Sequence, residues 1–179
     1  MGQEAIVTIS IRAMTQEDKP RIGQILRSTP EFKPSEVAVA EEVIDSYLGD
    51  PLGSGYHILV AEADSTVAGY ICYGPTPLTA GTWDVYWEAV AEDKRGQGIG
   101  SLLTKAAEKE IMRAEGRLAI IETSSTPVYE NTRRFHIGHG YKIVARIPDF
   151  YAPGDDKFIL RKRLKQDRGK GRATRHEAE

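Results

Sequence analysis

Cysteine is almost absent from this chain of 179 residues, and the lone Cys72 excludes an intrachain disulfide and a cysteine-built metal cluster. Apolar runs of bilayer-spanning length are missing too. The first fourteen residues alternate apolar and polar side chains instead of forming a continuous apolar core, so no signal peptide or membrane anchor is expected. Gly2 is followed by Ile6 where N-myristoylation needs Ser or Thr. A cytoplasmic protein without membrane contact is the expectation. No internal repeat is visible. A large net charge is lacking as well, but the formal −2 conceals an asymmetry. Residues 161–179 hold eight Lys or Arg against three acids, which leaves the body at −7. Residues 165–179 are basic and poor in apolar side chains, and are read as a disordered tail behind one domain spanning 1–164. No stacking aromatics accompany the tail, so nucleic acid is not an expected partner.

Glycine, by contrast, is concentrated. Arg95-Gly96-Gln97-Gly98-Ile99-Gly100 lies between a strand-like run, Trp83 to Val90, and an amphipathic helix opening near Ser101. Glycines bare the backbone N–H groups of a loop, and the helix behind it adds unsatisfied donors and the positive end of its dipole. A phosphate-bearing ligand is implied. A Walker A loop would need Lys and then Ser or Thr after its last glycine, whereas Gly100 is followed by Ser101 and Leu102. The dinucleotide fingerprint needs G-x-G-x-x-G, whereas these glycines are spaced G-x-G-x-G.

The pattern Arg95-x-x-Gly98-x-Gly100 resembles the pyrophosphate loop of the GNAT superfamily of acyl-CoA N-acyltransferases. The resemblance extends over roughly residues 6–164. Trp83 to Val90 resembles the fourth strand of that superfamily and Leu118 to Thr123 the fifth, while Asn131 to Tyr141 resembles the closing helix and its Gly-aromatic pair. The resemblance implies an α/β (α+β) fold. Its central mixed, mostly antiparallel seven-stranded sheet would be splayed between strands four and five and flanked by about four helices. Helices are expected from Thr15 to about Ser28, with Asp18 completing a capping box, and from Lys33-Pro34-Ser35 to about Leu48. A third, with apolar face Leu102, Leu103, Ala106, Ala107, Ile111 and Ala114, should pack on the sheet.

Acetyl-CoA, without a metal, is the implied cosubstrate. Gly96, Gln97, Gly98, Ile99, Gly100 and Ser101 would hold its pyrophosphate, with Arg95 opening the motif. Ala89 and Val90 would meet the pantetheine arm, and Asn131 would approach from the far side. Transfer to an amine needs a base to take the ammonium proton, and an acid can assist the departing thiolate. Strand alternation predicts Asp84, Tyr86 and Glu88 on one face. Asp84 stands eleven residues before Arg95, where the resemblance puts the base of histone-type members. Glu88 stands nearer the loop, where an apolar residue is expected. Family helices often carry the acid as a tyrosine four residues before the glycine of the Gly-aromatic pair. His136 occupies that place, and Tyr129 and Tyr86 are reserves. Cys72 invites a covalent relay, although packing is the commoner role of a lone cysteine.

Between the last two strands lies Pro148 to Lys157, which includes Asp149, Phe150 and Tyr151. The resemblance makes this hairpin a wall of the acceptor site. Aromatic faces beside carboxylates suit a cation. Glu36, Glu41, Glu42 and Asp45 of the second helix would face it. A small cationic amine is the first expectation for the acceptor. The hairpin also resembles that of N-terminal protein acetyltransferases, so a peptide α-amine or a protein lysine is the alternative. A non-catalytic acyl-CoA sensor is a third reading. Many members dimerise, which leaves a homodimer open.

Overall fold

The computed structural model describes residues 8–164, so the expectations for the first residues of the chain and for the basic tail lie outside it. β1 (Ile9–Ala13) leads through a short 3₁₀ turn (Gln16–Asp18) into α1 (Lys19–Ser28), and α2 (Pro34–Gly49) follows. The predicted capping box is present, with the Thr15 N–H donating to Asp18 Oδ2 at 2.8 Å. Arg12 from β1 grips the same carboxylate through two bonds of 2.7 and 2.9 Å. That ion pair holds the Asp18 carboxyl below its ordinary range and anchors the first helix to the sheet edge.

β2 (His57–Ala63), β3 (Thr66–Pro75) and β4 (Thr82–Val90) continue the sheet as antiparallel neighbours. α3 (Ile99–Arg113), β5 (Leu118–Ser124), α4 (Glu130–Gly138), β6 (Lys142–Ala152) and β7 (Asp155–Arg163) complete the chain. The seven strands run in the order β1-β2-β3-β4-β5-β7-β6, and β4–β5 is the parallel pair. A helix-bearing crossover is what joins parallel neighbours, and α3 supplies it. One core lies under α1 and α2 around Ile22, Leu26, Ile44, Val60 and Tyr70. The other lies under α3 around Ile71, Trp83, Leu103, Ile111 and Leu160.

Three expectations are corrected. The strands of the last hairpin consume most of the predicted loop, because β6 runs on to Ala152 and only Pro153-Gly154 turn. The inward stripe of α3 is Ile99, Leu103, Thr104, Ala107, Glu108 and Ile111, while Leu102 is 41% exposed. The third concerns β4, where pairing with β3 skips Tyr86. Trp87 lies opposite Cys72, and Val85 lies opposite Tyr73. This bulge resets the alternation. Trp83 and Val85 join the α3-side core, so Asp84 between them faces the α1–α2 side, whereas Glu88 faces α3. The two carboxylates predicted on one face stand on opposite faces.

Leu103 is fully buried between α3 and the sheet. Truncating it should remove contacts from several strands at once. Leu103→Ala is expected to lower the unfolding free energy by about 3 kcal/mol in a denaturant titration.

Candidate active site

Pairing between β4 and β5 ends after four residue pairs, the last being Val85 with Ile121. From Tyr86 to Val90 the two strands diverge, as expected of the splayed sheet. A cavity of about 410 Å³ lies beside this open stretch of β4. Its lining joins Glu88, Ala89 and Val90 of β4 to the glycine loop and the start of α3, and to Asn131, Phe135 and His136 of α4. Thr29, Glu31 and Phe32, from the connection between α1 and α2, close the remaining side.

The loop is built as its sequence demands. Gly96 and Gly98 have φ of +76° and +80°, a left-handed conformation that is strained for residues with a Cβ. Gly98 is the N-cap of α3, and the first intrahelical bond runs from the Leu102 N–H to its carbonyl at 3.1 Å. The N–H groups of Ile99, Gly100 and Ser101 precede that bond and are helix-end donors without intrahelical partners. Gly100 is glycine because of proximity. A Cβ there would meet Glu88 Oε1 and the Phe135 ring, each at 3.2 Å. Arg95 stands beside the loop, 3.5 Å from the Glu31 carboxylate. Donors converging on an open cavity at a helix start fit the pyrophosphate of a coenzyme. Among the described residues no group of three or more His, Cys, Asp or Glu is arranged to hold a metal.

Glu88 is the ionisable group beneath this loop. Thr104 of α3 donates a hydroxyl to its carboxylate, with the oxygens 3.0 and 3.1 Å away. Burial pushes its pKa up to about 8, and the nearby Glu108 adds to the rise. Glu108 is itself held by Lys162 at 2.6 and 2.8 Å. Thr104 and Glu108, one turn apart, form a polar break in the apolar stripe of α3. That break is a sequence signal that a polar partner sits on the facing strand.

Asp84 lies outside the cavity lining, and its Oδ2 accepts the Thr76 hydroxyl at 2.6 Å. Tyr86 is 38% exposed and packs edge-on against Tyr56, with the rings 5.6 Å apart. His136 lines the cavity but is 4% exposed, and its Nδ1 has no partner. Burial, helped by His139, drives its pKa down to about 4. The ring is therefore neutral near pH 7, so the expected role as an imidazolium acid is not supported. Tyr129 was a reserve candidate, and its hydroxyl lies 2.8 Å from the Glu31 carbonyl and 3.3 Å from Glu36. Burial and the Glu36 charge raise its pKa.

The expected cation platform on the last hairpin is already filled from within. Lys157 Nζ sits 3.7 Å from the Phe150 ring centre and 5.8 Å from that of Tyr151, and pairs with Glu122 at 2.5 Å. Asp149 Oδ1 accepts the Gly154 N–H at 2.7 Å, closing the turn. None of Asp149, Phe150 and Tyr151 lines the cavity. On α2, Glu41 pairs with Arg27 and Asp45 with Lys19, while Glu36 is the acid that reaches Tyr129. Cys72 is 1% exposed with its thiol pushed up to about 12 by burial, which removes the thiolate that a covalent relay would need.

Sequence reasoning missed Thr29, Glu31 and Phe32, which carry no motif and enter only because the α1–α2 connection folds over the loop. It also missed Phe135, the neighbour that keeps Gly100 small.

Comparison with known proteins agrees with this geometry. The acetyltransferase (GNAT) domain matches residues 54–143. An uncharacterised N-acetyltransferase from Methanocaldococcus jannaschii is 30% identical over 111 residues, covering 62% of this chain and 68% of that protein. A crystal structure of a GNAT-family protein from Desulfovibrio desulfuricans superposes with a TM-score of 0.85 at 37% identity, covering 88% of this chain and all of the other. An aminoglycoside 6′-N-acetyltransferase complexed with coenzyme A shares the fold at 20% identity, with a TM-score of 0.70 over 87% of this chain and 97% of its own. The chain belongs to the GNAT acetyltransferase family and is an acetyl-CoA-dependent acyltransferase.

Glu88 sets a pH signature. Its ordinary carboxylate value is 4.5 and its folded value is about 8, so the native protein holds a proton that the unfolded chain has released. The associated stability is present below the lower value and is lost as pH rises through the upper one. Urea titrations from pH 4.5 to 8 should show wild-type stability falling more steeply than that of Glu88→Gln.

Proposed function

We propose that this protein moves an acetyl group from acetyl-CoA to a primary amine by direct attack, without a covalent enzyme intermediate. The N–H groups of Gly96 to Ser101 bind the pyrophosphate. The edge of β4 at Ala89 and Val90 that β5 leaves open holds the pantetheine arm, and Asn131 bounds it from α4. When bound, acetyl-CoA supplies the activated thioester. Glu88 is the proposed base, and the observation that carries this is its place in the cavity lining beside the loop with a pKa near 8. A base titrating there is matched to mildly alkaline operation. It takes the ammonium proton directly or through one water, and the neutral amine attacks the thioester carbonyl. Tyr129, which lines the cavity, is the proposed proton donor to the departing thiolate, in place of the neutral His136.

A second reading makes Asp84 the base, acting through water, and is favoured by its place on the α1–α2 side of β4 with Tyr86. The acceptor would then reach the thioester from the face opposite Glu88. For the acceptor itself, a cationic amine is supported by Glu31, which lines the cavity, and by Glu36, which reaches Tyr129 of its wall. A peptide α-amine or a protein lysine is the alternative, in which an open groove beside the last hairpin takes a chain. Acyl-CoA binding without turnover is the reading that a silent enzyme would favour. A cytoplasmic setting completes the proposal.

Free-thiol release from acetyl-CoA across polyamines, aminoglycosides, amino acids and short peptides, with mass spectrometry of the product, identifies the acceptor. On the best acceptor, Glu88→Gln is expected to lower kcat by about 10²-fold or more. The wild-type kcat/KM should rise with pH to a plateau above about 8. Loss of activity in Asp84→Asn with Glu88→Gln unaffected would transfer the base role to Asp84.

A further inference from the structure

His139 and Ser101 meet beside the cavity, which Ser101 lines. The imidazole Nδ1 lies 2.8 Å from the Phe135 carbonyl oxygen, and Nε2 lies 2.9 Å from Ser101 Oγ. A carbonyl oxygen can only accept, so Nδ1 carries a proton. In the neutral ring Nε2 is then a bare acceptor, and it claims the Ser101 hydroxyl proton. Ser101 lines the cavity in the first turn of α3, and in that state turns only lone pairs toward it. A phosphate oxygen placed there would face lone pairs. Exchanging the tautomer does not help, because it sets an Nδ1 lone pair against the Phe135 carbonyl. The neutral ring already satisfies Phe135 and Ser101, but with a phosphate oxygen at Ser101 it is the imidazolium that satisfies all three, since both nitrogens donate and the Ser101 hydroxyl is released to donate into the cavity.

We propose that His139 is a proton-linked positioning residue for the cofactor, whose protonated form turns Ser101 into a phosphate donor, so that coenzyme binding takes up a proton. The proposal rests on reading the glycine loop as the pyrophosphate cradle. The surroundings of His139 accommodate the charge. It caps the C-terminal end of α4, where carbonyl groups favour a cation, and its ring lies 4.3 Å from that of Phe135. On α4 the neighbouring titratable group is His136, which burial holds neutral. Along α3 the next charged side chain on the Ser101 face is the exposed Lys105, one turn on. From β7, Lys162 reaches Gly140 beside His139, but Glu108 holds its ammonium group. The coenzyme affinity that the Ser101 hydroxyl adds is present while His139 holds both protons and is lost when one leaves.

Calorimetric titration of coenzyme A into the full chain, in two buffers of different protonation enthalpy, counts the protons taken up. The coenzyme's own phosphates contribute equally to the wild type, Ser101→Ala and His139→Gln, so the difference between proteins is the readout. Wild type is expected to take up more protons than either variant. Its affinity advantage over Ser101→Ala should shrink roughly tenfold between about pH 6 and 8. Equal uptake in all three proteins, or an affinity loss in Ser101→Ala that is the same at both pH values, would overturn the proposal. No coenzyme binding by wild type at any pH would remove the cradle reading itself, and the proposal with it.

Discussion

The whole site depends on the point in β4 where hydrogen bonding to β5 stops. Up to Val85 the strand is paired on both edges, and beyond it one edge is left open. A bulge at Tyr86 coincides with that point, and a bulge bends the strand and increases its twist. The bend carries Glu88 to the α3 side, opens the cavity beside the strand and leaves Ala89 and Val90 paired with β3 alone. An unpaired strand edge in a protein interior is costly unless something fills it. The proposed filler is the coenzyme.

Burial of charge is the second theme. Glu88, Glu108, Lys162 and Thr104 form a polar seam through the α3-side core, in which the Lys162–Glu108 pair is satisfied and Glu88 shares only one hydroxyl. A carboxyl in that position resists ionisation, which makes it a poor structural anion and a suitable proton acceptor near pH 8. His136 obeys the same physics with the opposite sign of charge. Its burial removes the proton that the sequence position suggested it would carry.

The fold was legible because its signals are local or periodic. The glycine loop marks a strand before it and a helix after it, and the order of segments around it carries the resemblance that implied the topology. The spacing and the resemblance it carries brought Ala89, Val90, Arg95, Gly96, Gly98, Ile99, Gly100, Ser101 and Asn131 to one cavity lining, from which Gln97 is missing. Residues whose position depends on irregular geometry were not. The Tyr86 bulge has no turn residue to announce it, so perfect alternation put Asp84 and Glu88 together. Lys157 folds back over Phe150 through a contact across the hairpin, which spacing does not encode, and it takes the cation site assigned to a substrate. The burial that neutralises His136 belongs to the packing of α4 against Tyr141.

Backbone hydrogen exchange with and without acetyl-CoA tests the central claim most directly, because the claim names which amides the coenzyme covers. Protection should rise at Gly96 to Ser101 and at Ala89 and Val90, while α2 exchanges unchanged. Saturating acetyl-CoA that leaves those amides unprotected, or protects another surface instead, would contradict the account.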